Sequence, residues 1–304
     1  MWQKLTEQLL TGDRRALARS ISLVENEAPG YLHFLQQLLL THQPPVIGIT
    51  GPPGAGKSTL TDALIHELIK DGKSAGILCV DPSSPFHHGA LLGDRVRMSR
   101  WYLHPQVFIR SLASRGAMGG LNPKIIEITD LLKAAAFDYI IIETVGVGQS
   151  EIEIARLADV TTVVLVPEAG DEIQTMKAGL MEIADVFVVN KADRPDASQF
   201  IKNLRMMLAP AFSRTRTEIP IIPTVATNET GVAELAAAIL QSHTHSEKSG
   251  KRQHLLAEKA YQLIQAARMQ DIPLEKLREE LAQSGERNIY RFVEKYAGSM
   301  DGRS

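Results

Sequence analysis

The segment Gly51-Pro52-Pro53-Gly54-Ala55-Gly56-Lys57-Ser58 has the residue types and spacing of a phosphate-binding loop. It matches G-x-x-x-x-G-K-[ST], in which glycines let backbone N–H groups turn toward phosphate oxygens. The helix predicted next, Thr59 to Lys70, directs the positive end of its dipole at the same anion. We expect Lys57 to reach the β- and γ-phosphates and Ser58 to offer its hydroxyl to magnesium. Thr59 completes this predicted part of the site.

The tetrapeptide Asn190-Lys191-Ala192-Asp193 follows an apolar run and indicates which base is bound. A carboxylate at Asp193 can accept hydrogen bonds from guanine N1–H and from the 2-amino group together. Adenine has no proton at N1 and would leave that carboxylate unpaired, which is costly. The pattern therefore predicts GTP or GDP as ligand. A later loop with Val225, Ala226 and Thr227 is predicted to support the base through backbone N–H groups.

Three acidic residues are candidates for organising Mg²⁺ and its waters. Glu143 begins Glu143-Thr-Val-Gly146, in the place of the D-x-x-G switch motif, where the Gly146 N–H would sense the γ-phosphate. Asp81 and Asp94 lie in a loop-rich stretch beside the expected phosphate site. Shaping a turn (Asp81) and capping a helix from Arg95 to Leu103 (Asp94) are alternative roles.

The residue after Gly146 is Val147, where Ras-type proteins have a water-orienting glutamine. We therefore expect slow intrinsic hydrolysis that a partner accelerates, with Lys57, Glu143 and Asp94 as the catalytic candidates.

Short apolar runs that alternate with helical stretches must position these residues. Near-continuous apolar strands indicate burial on both faces, and the alternation predicts an α/β P-loop fold with a mostly parallel sheet. The predicted strands are Val46 to Thr50, Ala75 to Val80, Val107 to Ser111, Tyr139 to Glu143, Thr161 to Val166, Val186 to Asn190 and Ile219 to Pro223.

Three zones are predicted along the chain. Residues 1–43 show apolar spacings of three and four, typical of helices, and form an N-terminal helical extension. Residues 44–241 form the nucleotide-binding domain. Residues 242–304 begin with a polar linker, Ser242 to Gly250, followed by helices Leu255 to Met269 and Leu274 to Tyr296. This arm is too small to bury its own core, so we expect it to pack on the main domain or on a second copy.

Composition narrows the possible partners and compartments. The 304 residues are 44% hydrophobic with a net charge of −2, so nothing indicates a nucleic-acid partner. The single cysteine, Cys79, excludes an internal disulfide and fits a reducing compartment. No signal peptide is apparent, and no run reaches the roughly 20 apolar residues that cross a bilayer. We predict a cytoplasmic protein without membrane association.

Several segments together resemble the MeaB/ArgK GTPases, a family of the SIMIBI class of P-loop proteins. They are Gly51 to Ser58, Asp81-Pro-Ser-Ser-Pro85, Gly89-Ala-Leu-Leu-Gly-Asp-Arg95, Glu143-Thr-Val-Gly-Val-Gly-Gln-Ser-Glu151 and Asn190 to Asp193. The resemblance implies a homodimeric GTPase chaperone of adenosylcobalamin-dependent methylmalonyl-CoA mutase, which gates cofactor delivery and protects the mutase. It also implies that Ser58, Asp81, Asp94 and Glu143 organise the metal, and that dimerisation uses the C-terminal arm.

The segment Pro167 to Lys177 resembles an additional switch loop of this family that couples nucleotide state to the partner. Within it, Gln174 and Lys177 are the candidates for contact across an interface. Family members more often have glycine where this chain has Glu168.

Two other function classes use a similar phosphate loop. Metal-inserting GTPases need ligands near the switches or in a histidine-rich tail, and this chain offers His87-His88 and His243-x-His245. Each pair supplies two histidines, which is fewer than the three or four ligands of typical stable metal sites. A small-molecule kinase would need an arginine-rich lid, for which the candidates are Arg95, Arg97, Arg100, Arg110 and Arg115. The guanine motif and the Glu143 switch favour hydrolysis over transfer.

Overall fold

A parallel β-sheet forms the centre of the chain in the computed structural model, which describes residues 1–81, 98–114, 121–144, 150–169, 183–215, 219–246, 251–269 and 272–297. Its strands are β1 Val46–Thr50, β2 Ala75–Asp81, β3 Val107–Ala113, β4 Tyr139–Thr144, β5 Val160–Leu165, β6 Val186–Asn190 and β7 Ile221–Thr224. Their order is β3-β2-β4-β1-β5-β6-β7, and all the pairings between these strands are parallel. The predicted α/β architecture is confirmed.

Along the chain, helices precede, alternate with and follow these strands. They are α1 Trp2–Leu10, α2 Arg14–Glu25, α3 Tyr31–Gln36, α4 Lys57–Lys70, α5 Ile125–Ala134, α6 Ser150–Leu157, α7 Ala197–Thr215, α8 Val232–Ser246, α9 Lys251–Arg268, α10 Leu274–Ser284 and α11 Ile289–Ala297. Short 3₁₀ turns occur at Ser99–Trp101, Pro167–Ala169 and Ala226–Asn228. None of the helices that the structure describes is both long enough and apolar enough to span a membrane.

The two faces of the sheet bury separate apolar cores because successive strand residues point to opposite sides. Ile47 and Ile49 of β1 face a core that includes α4, α7 and α8, whereas Val46 faces the core beneath α1, α2 and α5. Cys79 and Trp101 are both buried in the first core. The helices of residues 1–43 belong to the same compact unit as the sheet, which extends from Met1 to Arg252.

Aspartates fix the strands at the amino edge of the sheet. Asp138 accepts from Ser74 N, Asp159 from Val46 N and Asp185 from Thr161 N, each at 2.8 Å. Each of these aspartates lies at the start of one strand and holds the start of its neighbour. The strands therefore end in register at the opposite, carboxyl edge, where ligands of open parallel sheets bind.

Helix boundaries differ from prediction at several places, including the earlier starts of α4 at Lys57 and of α9 at Lys251. Residues Ser242–Ser246 extend α8, because this polar stretch has no glycine or proline before Gly250. The helix predicted from Leu274 to Tyr296 ends at Ser284, since Gly285 takes the left-handed conformation (φ 62°) that terminates helices. In the described part of the predicted helix Arg95 to Leu103, only a 3₁₀ turn forms, and His104 before Pro105 is disfavoured in a helix.

The second compact unit, Gln253–Ser304, exposes several large apolar side chains. Phe292 is buried and lies 5.8 Å from the Tyr296 ring, while Lys295 pairs with Glu280. Its exposed large apolar side chains are Leu256, Tyr261, Leu263, Ile264, Met269, Leu274, Leu281, Ile289 and Tyr290. Such a surface is typical of an interaction site.

Candidate functional site

The loop between β1 and α4 depends on glycines at two close approaches of the backbone. Gly51 has φ 136°, and a Cβ there would lie 2.1 Å from the carbonyl oxygen of Val164 in β5. Gly56 has φ 85°, and a Cβ there would lie 2.4 Å from Asn190 Nδ2. Any larger residue would push the loop off its neighbours. The phosphate-binding loop is therefore seated directly against the strands that carry the rest of the site.

Lys57, the first residue of α4, is held over this loop. Its ammonium donates to the carbonyl oxygens of Gly51 at 2.8 Å and Pro52 at 3.0 Å, and the residue is only 6% exposed. Gly56 caps the helix without a side-chain hydrogen bond. A lysine and a helix amino end thus converge on the loop, which is the arrangement that binds phosphate.

Glu143 lies at the carboxyl end of β4, opposite Ile49 of β1, and is 4% exposed. Its carboxylate accepts from Ser58 Oγ at 2.6 Å and from Thr61 Oγ1 at 2.8 Å. A hydroxyl that donates its proton can still offer an oxygen lone pair to a cation. Magnesium prefers hard oxygen ligands of this kind, so the residues present fit a magnesium ion beside the phosphate loop.

Asn190, at the end of β6, connects three segments of the site. Its Nδ2 donates to Ala55 O at 2.9 Å, and its Oδ1 accepts from Thr224 Oγ1 and Ala226 N, both at 3.2 Å. Lys191 adopts a left-handed conformation (φ 57°) and donates from Nζ to Gly54 O at 3.0 Å. The Asn190-to-Asp193 segment is thereby fixed to both the phosphate loop and the loop after β7.

A cavity of about 240 Å³ opens between these loops. It is lined by Gly56, Thr59, Asn190, Lys191, Asp193, Arg194, Val225, Ala226 and Thr227. The structure thus brings together residues from three of the segments predicted to contact nucleotide, namely the phosphate loop, Asn190 to Asp193 and the loop after β7. Pro53 lies in the loop itself, and Asp81 ends β2 at the same edge of the sheet. Asp94, Gly146, Gln174 and Lys177 lie outside the described residues, as do His87 and His88, and the binding roles of the site residues stay predictions.

Two of the five arginines considered for a kinase lid form ion pairs with helices of the fold. Arg100 binds Asp62 of α4, and Arg110 binds Glu25 of α2 at 2.9 Å. The other three arginines lie outside the described residues. Among the residues that the structure does describe, no three or more histidine, cysteine, aspartate or glutamate side chains group together, as a site that holds a metal by these side chains alone would require.

The sequence did not predict two side-chain pairs near this cavity. Arg194, which lines the cavity, forms an ion pair with Glu168. Glu229, just after the loop of Val225 to Thr227, accepts from His66 Nδ1 of α4 at 2.6 Å. Neither pair has a local sequence signal, because its members lie 26 and 163 residues apart.

The Glu229 contact predicts a specific dependence of stability on pH. Burial alone would raise the pKa of Glu229, but hydrogen bonds and charge from His66 and Lys70 outweigh it and lower the pKa below its ordinary value. A lowered folded-state pKa contributes stability that is present above the unfolded pKa and lost as pH falls through the folded one. We expect Glu229→Gln to destabilise the protein at neutral pH, with the difference from wild type shrinking below about pH 4.5.

Urea unfolding from pH 3 to pH 7 would measure this difference. Glu67→Gln is the matched control, since Glu67 also binds Lys70, at 3.1 Å, from the same helix. A Glu229→Gln difference that stays constant as the pH falls would contradict the predicted role of the ion pair.

Most of this chain matches the sequence model of one protein family. A family model described as methylmalonyl Co-A mutase-associated GTPase MeaB matches residues 17–281. The chain belongs to the MeaB family. It is 48% identical over 262 residues to a putative GTPase of Pyrococcus horikoshii, covering 84% of this chain and 81% of that one. As a MeaB-family member with relatives named as GTPases, it is a GTPase and binds guanine nucleotide.

Two further matches concern architecture and domain context. A fused isobutyryl-CoA mutase of Geobacillus kaustophilus is 38% identical over 261 residues, which are 80% of this chain and 24% of that one. A crystal structure of a LAO/AO transport system kinase superposes with a TM-score of 0.68 and 25% identity, covering 98% of both chains. The fold of this chain therefore matches that solved structure over nearly its whole length.

Proposed function

We propose that this MeaB-family protein is a magnesium-dependent GTPase chaperone of adenosylcobalamin-dependent methylmalonyl-CoA mutase, gating cofactor loading and protecting the mutase. The observation that carries the proposal is the family match, whose description names association with that mutase. A second finding supports a mutase as the partner: a relative of this chain is fused to an acyl-CoA mutase. Fusion of a GTPase to its client is a permanent form of such an association.

The described residues support a division of labour in nucleotide binding. Lys57 would exchange the carbonyl oxygens of Gly51 and Pro52 for β- and γ-phosphate oxygens, which are stronger, charged acceptors. Ser58 and Glu143 would hold Mg²⁺, which neutralises charge on the phosphates when bound. Asp193 would read guanine in the cavity that it lines, and Val225 to Thr227 would support the base. Asp81 and Asp94 are proposed to complete the metal environment.

We propose that a partner accelerates hydrolysis at this site. Val147 cannot orient an attacking water as a glutamine can, so slow basal turnover that the mutase accelerates is proposed. Gln174 and Lys177 are proposed as contacts across the switch interface. The exposed apolar side chains of Gln253–Ser304 support a homodimer through this arm, because burying them would remove a large apolar surface from water.

The decisive experiment measures GTP turnover by the purified full chain, alone and with adenosylcobalamin-dependent methylmalonyl-CoA mutase. We expect a slow basal rate that rises when the mutase is added. Asp193→Ala serves as the control, since it should weaken discrimination for GTP while leaving the phosphate loop and Glu143 in place. Sedimentation of the same sample would report whether the chain is dimeric.

Two outcomes would overturn the chaperone proposal. One is that the mutase changes neither the turnover rate nor the nucleotide affinity. The other is that stoichiometric nickel or cobalt, instead of the mutase, changes turnover. The second result would favour metal delivery and make the histidine pairs the next targets of mutation.

A further inference from the structure

The loop that follows β7 lines the nucleotide cavity together with the start of α4. Residues 225–230, here called the base loop, supply Val225, Ala226 and Thr227 to the cavity wall. Thr59, in the first turn of α4, lines the same cavity. The base loop and α4 are therefore two parts of one wall, and a contact that joins them sets the distance between them.

Glu229 of the base loop makes such a contact. One oxygen of its carboxylate accepts from His66 Nδ1 at 2.6 Å, and the other accepts from Lys70 Nζ at 3.4 Å. His66 and Lys70 are four residues apart on α4, so they lie on one face of the helix in successive turns. Contacts through both oxygens restrict the direction of the carboxylate as well as its distance from the helix.

The backbone conformation at Glu229 is one that favours glycine, yet the residue is a glutamate. Its φ is 62°, in the left-handed region that few residues other than glycine, asparagine and aspartate adopt. Such conformations persist where the surrounding structure holds them, and they are concentrated at ligand-binding sites. The contacts of the Glu229 side chain with α4 offset part of this backbone cost.

The base loop transmits the position of Glu229 to the cavity. Val225 N donates to Thr230 O at 3.0 Å, and the two residues form an antiparallel bridge that closes the loop. Ala226 is buried, and its N–H donates to Asn190 Oδ1 at 3.2 Å. Because the loop is short and closed, a displacement at Glu229 also moves the residues that face the cavity.

We infer that Glu229 is a positioning residue for guanine: its contacts with α4 hold the base loop where the loop supports the base. This inference rests on the proposed role of the base loop and deepens it. The side chains of His66 and Glu229 are 36% and 32% exposed, and partly exposed ion pairs contribute modestly. The effect on guanine nucleotide affinity should therefore be about five-fold.

The test compares two ligands that share the phosphate site, one with the base and one without it. GDP and pyrophosphate would each displace N-methylanthraniloyl-GDP from the full chain at one magnesium concentration, followed by fluorescence. We expect Glu229→Gly to weaken GDP binding about five-fold and to change pyrophosphate binding less than about two-fold, because Lys57 and Ser58 are untouched. Glycine adopts a φ of 62° without strain, so this variant removes the side-chain contacts and relaxes the backbone.

Glu67→Ala is the matched control. Glu67 also binds Lys70, at 3.1 Å, but it belongs to α4, so its loss leaves the base loop attached to the helix. His66→Ala is the second variant, and it keeps the inference testable if Glu229→Gly does not fold. It removes the shorter contact and leaves the sequence of the base loop unchanged. Combining it with Glu229→Gly should cost little more than the worse single change, because residues that act through one contact are not additive.

Gly231→Ala separates this inference from the proposed function. A Cβ at Gly231 would lie 2.1 Å from the carbonyl oxygen of Pro223, so this variant displaces the end of the base loop without touching Glu229. If Gly231→Ala leaves GDP affinity unchanged, the base loop does not support the base, and that part of the proposed function fails.

Two results would overturn the positioning role of Glu229 itself. In the first, Gly231→Ala weakens GDP binding, but Glu229→Gly and His66→Ala match Glu67→Ala. In the second, Glu229→Gly weakens GDP and pyrophosphate equally, since a general defect in α4 acts on both ligands.

Discussion

Glu143→Gln is expected to lower the GTP turnover of this MeaB-family enzyme by at least about 100-fold, the typical cost of losing one well-placed electrostatic group. The carboxylate is buried at the end of β4 and lies 2.6 Å from Ser58 Oγ. Glutamine keeps the size of the side chain and can still accept from one hydroxyl, so the fold should persist. What disappears is the negative charge that would hold Mg²⁺.

The measurement is single-turnover hydrolysis at saturating magnesium, together with the affinity for GDP in EDTA. We expect hydrolysis to collapse while GDP affinity in EDTA changes little, because Lys57 and Asp193 are untouched. Glu127→Gln provides a matched control: Glu127 is a similarly buried glutamate, but it lies on α5. Turnover of Glu143→Gln within a few-fold of Glu127→Gln would contradict the metal role of Glu143.

The sequence predicts those parts of the site that consist of contiguous residues. Gly51 to Ser58 must follow a strand and precede a helix to bind phosphate, and the local apolar pattern predicts both elements. The Asn190-to-Asp193 motif follows a strand in the same way. Parallel strands then bring their carboxyl ends to one edge, which predicts proximity without any knowledge of strand order. The α/β fold was predictable for the same reason.

Contacts between distant side chains were not predictable, because periodicity reports only which face of an element is buried. Nothing near Asn190 in the sequence shows that its amide connects Ala55 with Ala226. The carboxylate of Glu143 contacts Thr61 across 82 residues, and Asp62 contacts Arg100 across 38. Such pairs depend on how α4 lies against the sheet, which is decided by packing of the whole core.

Helix ends were the least predictable local feature. The polar run after Leu240 has the composition of a linker, yet it continues α8 because nothing in it breaks a helix before Gly250. Conversely, one glycine at 285 ends α10 inside a stretch with continuous helical periodicity. In both places the backbone preference of single residues outweighed the composition of the segment.

Asp193→Asn is expected to exchange the base preference of the protein from guanine toward xanthine. The Asp193 side chain lines the cavity between the phosphate loop and the loop after β7. Guanine presents two donors, N1–H and the 2-amino group, to this carboxylate. Xanthine presents one donor and one acceptor, which match the carbonyl oxygen and amide nitrogen of asparagine. A single substitution thus changes the pattern of partners without changing the shape of the cavity.

Competition between GTP and xanthosine triphosphate for a fluorescent nucleotide measures the exchange. Hydrogen bonds to a charged group contribute about 1.5–3 kcal/mol each, so losing the match to guanine should weaken GTP binding about 100-fold. Asp196→Asn removes a nearby exposed carboxylate that does not line the cavity and should leave both affinities unchanged. If Asp193→Asn weakened both nucleotides equally, Asp193 would act by holding the loop and not by reading the base. Tighter binding of xanthosine triphosphate could not result from a loosened loop, because loosening the loop would weaken the binding of every base.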